Sequence, residues 1–177
     1  MAEFERLIRS QLSPEEGAEV QRVSQLAQQL LSHLESSMEL ITALHIHGAQ
    51  SRAIQDTVGR LLEDRLGFGS EVVLAPQDGL VTRARPDFFF ELGPGRGIVA
   101  EVERGGTTAN NHDLKDLWKA HIAINAQHLF LVVPMALQSE SGAVRERPYP
   151  KVVRRIGAFF GEPRREVDVL SVHVFGY

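Results

Sequence analysis

The chain has 177 residues, 43% of them hydrophobic, which is enough to bury one core, and a single domain spanning 1–177 is the expectation. It has no cysteine, which excludes disulfides and thiolate metal sites; no run of about eighteen apolar residues or basic-then-apolar leader occurs, so the expected compartment is the cytoplasm, with no membrane partner. A net charge of −4 argues against a nonspecific nucleic-acid binder, but residues 145–165 hold seven Lys/Arg against two Glu while residues 1–72 hold six Lys/Arg against eleven Asp/Glu.

In chain order, Ser13-Pro14-Glu15-Glu16 reads as a helix start, with a capping residue, proline at the first helical position and acids in the first turn. Val20, Val23, Ala27, Leu30, Leu31 and Leu34 then recur at helical spacing, and a second helix follows over Met38–Leu44. A third runs from about Gln50 to Leu66, with Ile54, Val58, Leu61, Leu62 and Leu66 on one face, and stops at Gly67. A strand at Glu71–Leu74 is expected next. Val81–Glu91 and Gly97–Glu103 both alternate, and the Gly93–Gly97 connection suits a β-hairpin. Asn111–Asn125 carries a helical stripe of Leu114, Leu117, Trp118, His121 and Ile122, with His121 expected in the core. His128–Val133 is a buried strand, residues 135–150 a loop, Lys151–Phe160 a helix and Glu166–Phe175 a last strand. The expected class is α/β (α+β), a mixed sheet flanked by helices. A helical extension over 1–47 precedes a core over 48–177, with neither repeat nor linker.

The hairpin carries the chemistry. Keeping both apolar faces inward pairs odd residues with odd, so Asp87 lies opposite Glu101 or Glu103 with the other on the diagonal. Opposed Cβ atoms are ~5 Å apart and diagonal ones ~7–8 Å. Like charges that close repel, and a divalent cation is the simplest compensation; the alternative is a solvated acidic hairpin paired with Arg83, Arg85 and Arg104. No His spacing suited to zinc, no phosphate-binding glycine loop before Lys-Ser/Thr and no G-x-S-x-G elbow is present.

Pro86-Asp87, thirteen residues, then Glu101-Val102-Glu103 resembles the signature of the PD-(D/E)XK nuclease superfamily, in its E-x-E variant. The order helix, three strands, helix, strand over roughly residues 50–134 agrees with that superfamily's core, so a restriction-endonuclease-like fold is expected. The resemblance implies a Mg²⁺-dependent endodeoxyribonuclease of restriction or repair type, with Mn²⁺ as substitute. Its ion would be held by Asp87, Glu101 and the backbone carbonyl of Val102. Glu103 stands where the family has lysine, and either accepts a proton from water or holds a second ion. Glu63, on the helix before the first strand, is where some members supply another carboxylate, although a solvated helix charge explains it too. Lys115 or Lys119, a turn apart on the helix after the motif, would replace the missing lysine. Lys115 is preferred as nearer the hairpin, and both otherwise read as exposed helix lysines. Arg83, Arg85, Arg104, Asn110, Asn111, Lys119, Arg154 and Arg155 are candidate nucleic-acid contacts, with one of Asn110 and Asn111 expected to cap the helix. Cutting both strands of DNA favours a homodimer. The rival is a non-catalytic nucleic-acid- or protein-binding module on the same fold.

Overall fold

A helix that starts at a capping box organises one side of the molecule. In the computed structural model, which describes residues 2–48, 51–70, 72–74 and 85–177, Ser13 Oγ accepts the Glu16 N–H at 3.2 Å and Glu16 Oε2 accepts the Ser13 N–H at 2.7 Å. From there α1 (Pro14–Ser36) lays Val23, Ala27, Leu30 and Leu34 into the core. Helix α2 (Met38–Leu44) follows. Helix α3 (Ser51–Arg60) continues without a break as a π-helical turn over Leu61–Leu66, and Gly67 ends it at φ 79°, a left-handed conformation open to glycine.

The strands are β1 (Glu3–Ile8), β2 (Gly69–Ser70), β3 (Phe88–Gly93), β4 (Arg96–Val102), β5 (His128–Val133), β6 (Leu137–Gln138), β7 (Val144–Glu146) and β8 (Ser171–Gly176), with helices α4 (His112–Ile122) and α5 (Pro148–Gly157) between them. Among the described residues six strands form one mixed sheet in the order β1-β8-β5-β4-β3-β2, and β6 and β7 make a separate hairpin. Strands β4, β5 and β8 run parallel, with Ile98 beside His128 and His128 beside Ser171. They are buried on both faces, which explains why they read as nearly unbroken apolar runs. Ile98, Ala100, Val102, Phe130 and Phe175 face α1–α3, while Val99, Leu129, Leu131, Val172 and Val174 face the α4/α5 side. No helix among the described residues is long and apolar enough to cross a membrane.

The α+β class and the helical 14–44 segment agree with the sequence reading. What precedes that segment does not. Residues Glu3–Ile8 form an edge strand of the central sheet, antiparallel to β8, and α1 packs into the same core as the sheet. Glu3, Glu5 and Arg6 are exposed, which blurs the alternation and guards the edge against further pairing. The strand expected at Glu71–Leu74 lies at Gly69–Ser70, with Glu71 outside the described residues and Leu74 buried. Of the alternating 81–91 segment, 81–84 lie outside the described residues and pairing begins at Phe88. The last strand starts only at Ser171, and Glu166, expected to open it, lies outside the sheet with its Oε1 accepting the Ser10 and Gly161 N–H groups. Helix α5 starts at Pro148, where proline's fixed φ suits a first turn.

Helix α4 has the expected period but a different phase. Its buried residues are Asp113, Asp116, Leu117 and Ala120, while Trp118 is 51% exposed. His121 is exposed rather than in the core, and its Nδ1 accepts the Asp168 N–H at 2.9 Å.

Candidate functional site

The β3–β4 hairpin pairs Phe88 with Ala100, which sets Asp87 one step on, opposite Glu101. That is the odd-with-odd pairing the alternation requires. Asp87 Oδ2 accepts the Val102 N–H at 3.0 Å, and the Asp87 N–H reaches Glu101 Oε2 at a long 3.4 Å. Glu101, 3% exposed, belongs to the strand face that looks towards α4. Glu103, one alternation further, is held by His112, with Nδ1 2.9 Å from its Oε2. Its backbone is fixed as well: the N–H donates to Val132 O at 2.8 Å, and Tyr177 Oη donates to its carbonyl at 2.9 Å.

Helix α4 contributes two further groups. Asp116 and Lys119, three residues apart, share the buried side. Lys119 Nζ lies 2.8 Å from Glu101 Oε1 and 2.9 Å from Asp116 Oδ1, so one ammonium bridges two carboxylates. Asp116 is 2% exposed and its Oδ2 has no hydrogen-bond partner. These side chains line a cavity of about 370 Å³. Gln55, from α3, lines both this cavity, with Asp87, and a neighbouring one of about 800 Å³.

The charges are unbalanced. Burial, then the nearby Asp116 and Asp87, pushes Glu101 up to about 8 although Lys119 opposes the shift. Burial, with Glu103 and Asp87 adding to it, pushes Asp116 up to about 7 against the pull of Lys119. Burial also raises Asp87, against the Val102 N–H, Lys119 and Gln55. For Lys119 burial favours the neutral amine, but Glu101 and Asp116 more than offset it and hold the ammonium charged. Asp87, Glu101 and Asp116 thus share one resident cation, and the fold leaves negative charge uncompensated.

Among the described residues no three His, Asp or Glu side chains already converge on one point as a ready-made cage. Mg²⁺ does not require one, since it typically keeps several waters and takes one or two carboxylates. An all-oxygen donor set, with an orphaned buried carboxylate oxygen beside it, fits such an ion.

The other expected residues are scattered. Lys115 is exposed and lines the same cavity, but the ammonium on the carboxylates belongs to Lys119. The preference for Lys115 is therefore corrected: proximity to the helix start matters less than facing the sheet. Glu63 is exposed and lines only the larger cavity, while the α3 residue that lines the carboxylate cavity is Gln55. Arg85 is exposed on that larger cavity too, and Arg83 lies outside the described residues. Arg104 is turned towards α2, with Nη2 donating to Ile46 O at 2.7 Å.

The expected asparagine cap is absent. Asn111 precedes α4 in a left-handed conformation at φ 55° without a side-chain capping bond, and its Oδ1 instead accepts Arg155 Nη2 at 2.6 Å. Asn110 is exposed in the turn, its N–H donating to Gly106 O at 2.7 Å. Arg155 also donates to Thr108 O at 2.9 Å and lies 3.3 Å from Asp113 Oδ2, so its guanidinium ties the loop to α5 rather than standing free for phosphate. Arg154, beside it, is exposed. Gln55 and Asp116 escape a sequence reading because polar residues within apolar stripes look like solvent-facing ones. The signal for Asp116 is its place directly beside Leu117. Neither protein-family models nor curated proteins give a match to this chain.

Proposed function

We propose that the chain is a cytoplasmic Mg²⁺-dependent endodeoxyribonuclease of the PD-(D/E)XK type, restriction- or repair-like, working as a homodimer on duplex DNA. The observation that carries this reading is the side-by-side pair Asp87 and Glu101 with a lysine, Lys119, resting on Glu101. Asp87, Glu101 and the Val102 carbonyl would hold the ion, with Mn²⁺ as a substitute. When bound, the ion supplies a polarised phosphoryl oxygen and a more acidic water.

The chain's own residues do the rest. Lys119 offers its ammonium to the negative charge that accumulates on the phosphoryl group. Glu103, oriented by His112, accepts the proton of the attacking water. The Val102 N–H holds the Asp87 carboxylate in place. Arg85, Lys115 and Arg154, all exposed, supply sequence-independent contacts to neighbouring phosphates.

A non-catalytic binding module is the second reading, favoured by the glutamate that stands where the family has lysine. One experiment separates them. Supercoiled plasmid and linear phage DNA are incubated with wild type or Asp87→Asn, in Mg²⁺, Mn²⁺ or EDTA. Metal-dependent cleavage lost in the variant supports the nuclease, and discrete fragments point to sequence-specific restriction. Intact DNA, retarded in a gel without metal, supports the binding module.

A further inference from the structure

Beside the carboxylate cavity lies a smaller one of opposite character. Its volume is about 170 Å³, and its walls come from the loop after α2, the loop after β4, and strands β6 and β7. Arg104 and Arg145 line it together with His45, His47 and Gln138, and no Asp or Glu is among its described lining residues. In a chain of net charge −4 this is a segregated patch of one sign. The acids next to the two arginines in the chain are engaged by other groups. Glu103 is held by His112 at 2.9 Å, and Glu146 takes Lys151 Nζ at 3.1 Å. The walls are also fixed before any ligand arrives: Arg104 Nη2 donates to Ile46 O and His45 Nε2 to Ala136 O, each at 2.7 Å. Two guanidiniums on one cavity repel each other, and an anion between them turns that repulsion into attraction. Their planar forks match the oxygens of a phosphate. The volume falls below the roughly 300–1,000 Å³ of pockets that enclose a whole drug-sized ligand, so it admits one group rather than a nucleotide. A phosphomonoester, with a charge of roughly −1.5 to −2, complements two guanidiniums better than the single charge of a diester does.

We propose that this cavity binds the terminal phosphate of a DNA strand, seated between Arg104 and Arg145. The assignment to a strand end rests on the nuclease reading above. Arg104 and Gly105 line both this cavity and the one that holds Asp87 and Glu101, so the two share a wall, and a strand in one has its phosphate within reach of the other.

The test is binding to the full chain in EDTA, read by fluorescence anisotropy of internally labelled blunt DNA duplexes that end in 5′-phosphate, 3′-phosphate or hydroxyl only. One of the phosphorylated ends binds about tenfold tighter than the hydroxyl end, the effect of one charge-assisted contact, and inorganic phosphate erases the difference. Arg145→Ala, at an exposed position of β7, removes the preference, and Arg145→Gln, a second variant, does the same. Arg164→Ala deletes an exposed arginine that does not line the cavity and keeps the preference. Thermal melting checks the folding of every variant. Equal affinity for all three duplexes overturns the proposal, as does a preference that survives in Arg145→Ala. A preference that Arg164→Ala also removes overturns it by reducing the effect to overall charge. Arg145-dependent uptake of inorganic phosphate in calorimetry, without any preference among the duplexes, identifies a site for free phosphate and overturns the strand-end assignment. These failures leave the nuclease reading standing wherever Mg²⁺-dependent cleavage is lost in Asp87→Asn. An end preference in a chain that does not cleave keeps the phosphate site and overturns the nuclease reading instead.

Discussion

Two polar clusters sit at opposite ends of the same parallel strands, and the fold treats them in opposite ways. At the amino ends, on the α1 face, Glu19 takes a two-pronged contact from Arg96 at 2.6 and 2.7 Å and lies 2.9 Å from His128 Nε2. His128 Nδ1 continues to Ser171 Oγ at 2.8 Å, and Ser171 to His173 Nε2 at 3.1 Å. Burial alone would raise Glu19, but the bonds from Arg96 and His128 outweigh it and hold the carboxyl below its usual range. At the carboxyl ends, on the α4 face, Glu101 and Asp116 share a single lysine and are pushed up to about 8 and about 7. The lesson is that burial alone does not fix the direction of an acid's shift: that direction records whether the fold supplies enough positive charge and hydrogen bonding for the acid by itself.

Breaking the unbalanced end has the largest expected effect. On the proposed nuclease reading, Asp87→Asn is expected to lower DNA cleavage by roughly 10²–10³-fold or more, measured as initial nicking rate in Mg²⁺, and Lys119→Met by a similar factor. Residual cleavage at the wild-type rate in either variant would remove that residue from the site.

Breaking the balanced end costs stability instead. Glu19→Ala leaves His128 buried without its Nε2 partner and is expected to lower unfolding stability by ~1–3 kcal/mol, read as a shifted urea midpoint at constant slope. The His128 imidazole already titrates below its usual range because of burial, and His173 is held at about 3 by burial and the charges of His128 and Arg6. Both depressed imidazoles cost stability as pH falls below their unfolded value, since the unfolded chain then takes up protons that the fold refuses.

A third experiment sharpens the contrast through pH. Glu101 and Asp116 have folded values of about 8 and about 7, above the unfolded carboxylate range. The folded state therefore binds more protons, and stability in EDTA falls as pH rises from the unfolded carboxylate range through those values. Glu101→Gln flattens that decline and raises the melting temperature at alkaline pH, while abolishing cleavage. A melting temperature in EDTA that rises over the same interval, unchanged by Glu101→Gln, would show that the acids are already compensated. The smallest effect belongs to Lys115→Ala. It should leave the cleavage rate at saturating DNA within about twofold and reduce the salt dependence of binding by about one phosphate contact.

The hairpin was legible because a two-residue period and a glycine-rich turn leave little freedom: once Phe88, Phe90, Ile98 and Ala100 face inward, Asp87 must meet Glu101 or Glu103, and the Phe88–Ala100 register selects Glu101. Helix α4 shows where such reading stops. Leu114, Leu117, Trp118, His121 and Ile122 give the right period, but a helix can roll by one position without losing it. The roll was decided by Asp116 and Lys119 turning in to meet Glu101, a long-range contact absent from local hydrophobicity. That same roll exposes Trp118 and exchanges Lys115 for Lys119 at the carboxylates. Strand β1 was missed for a different reason, since a half-exposed edge with three charges has almost no apolar pattern to read.

Strand β1 also sets the order of assembly. Among the described strands it pairs only with β8, residue for residue from Glu3 with Gly176 to Ile8 with Ser171. During synthesis β1 must therefore wait for β8, made more than 160 residues later, and the hairpin bearing Asp87 and Glu101 can form before that pairing is made. Closing that ladder brings Glu3 and Gly176 side by side. A circular permutant that links them and opens the β6–β7 hairpin would convert the slowest pairing into a local one.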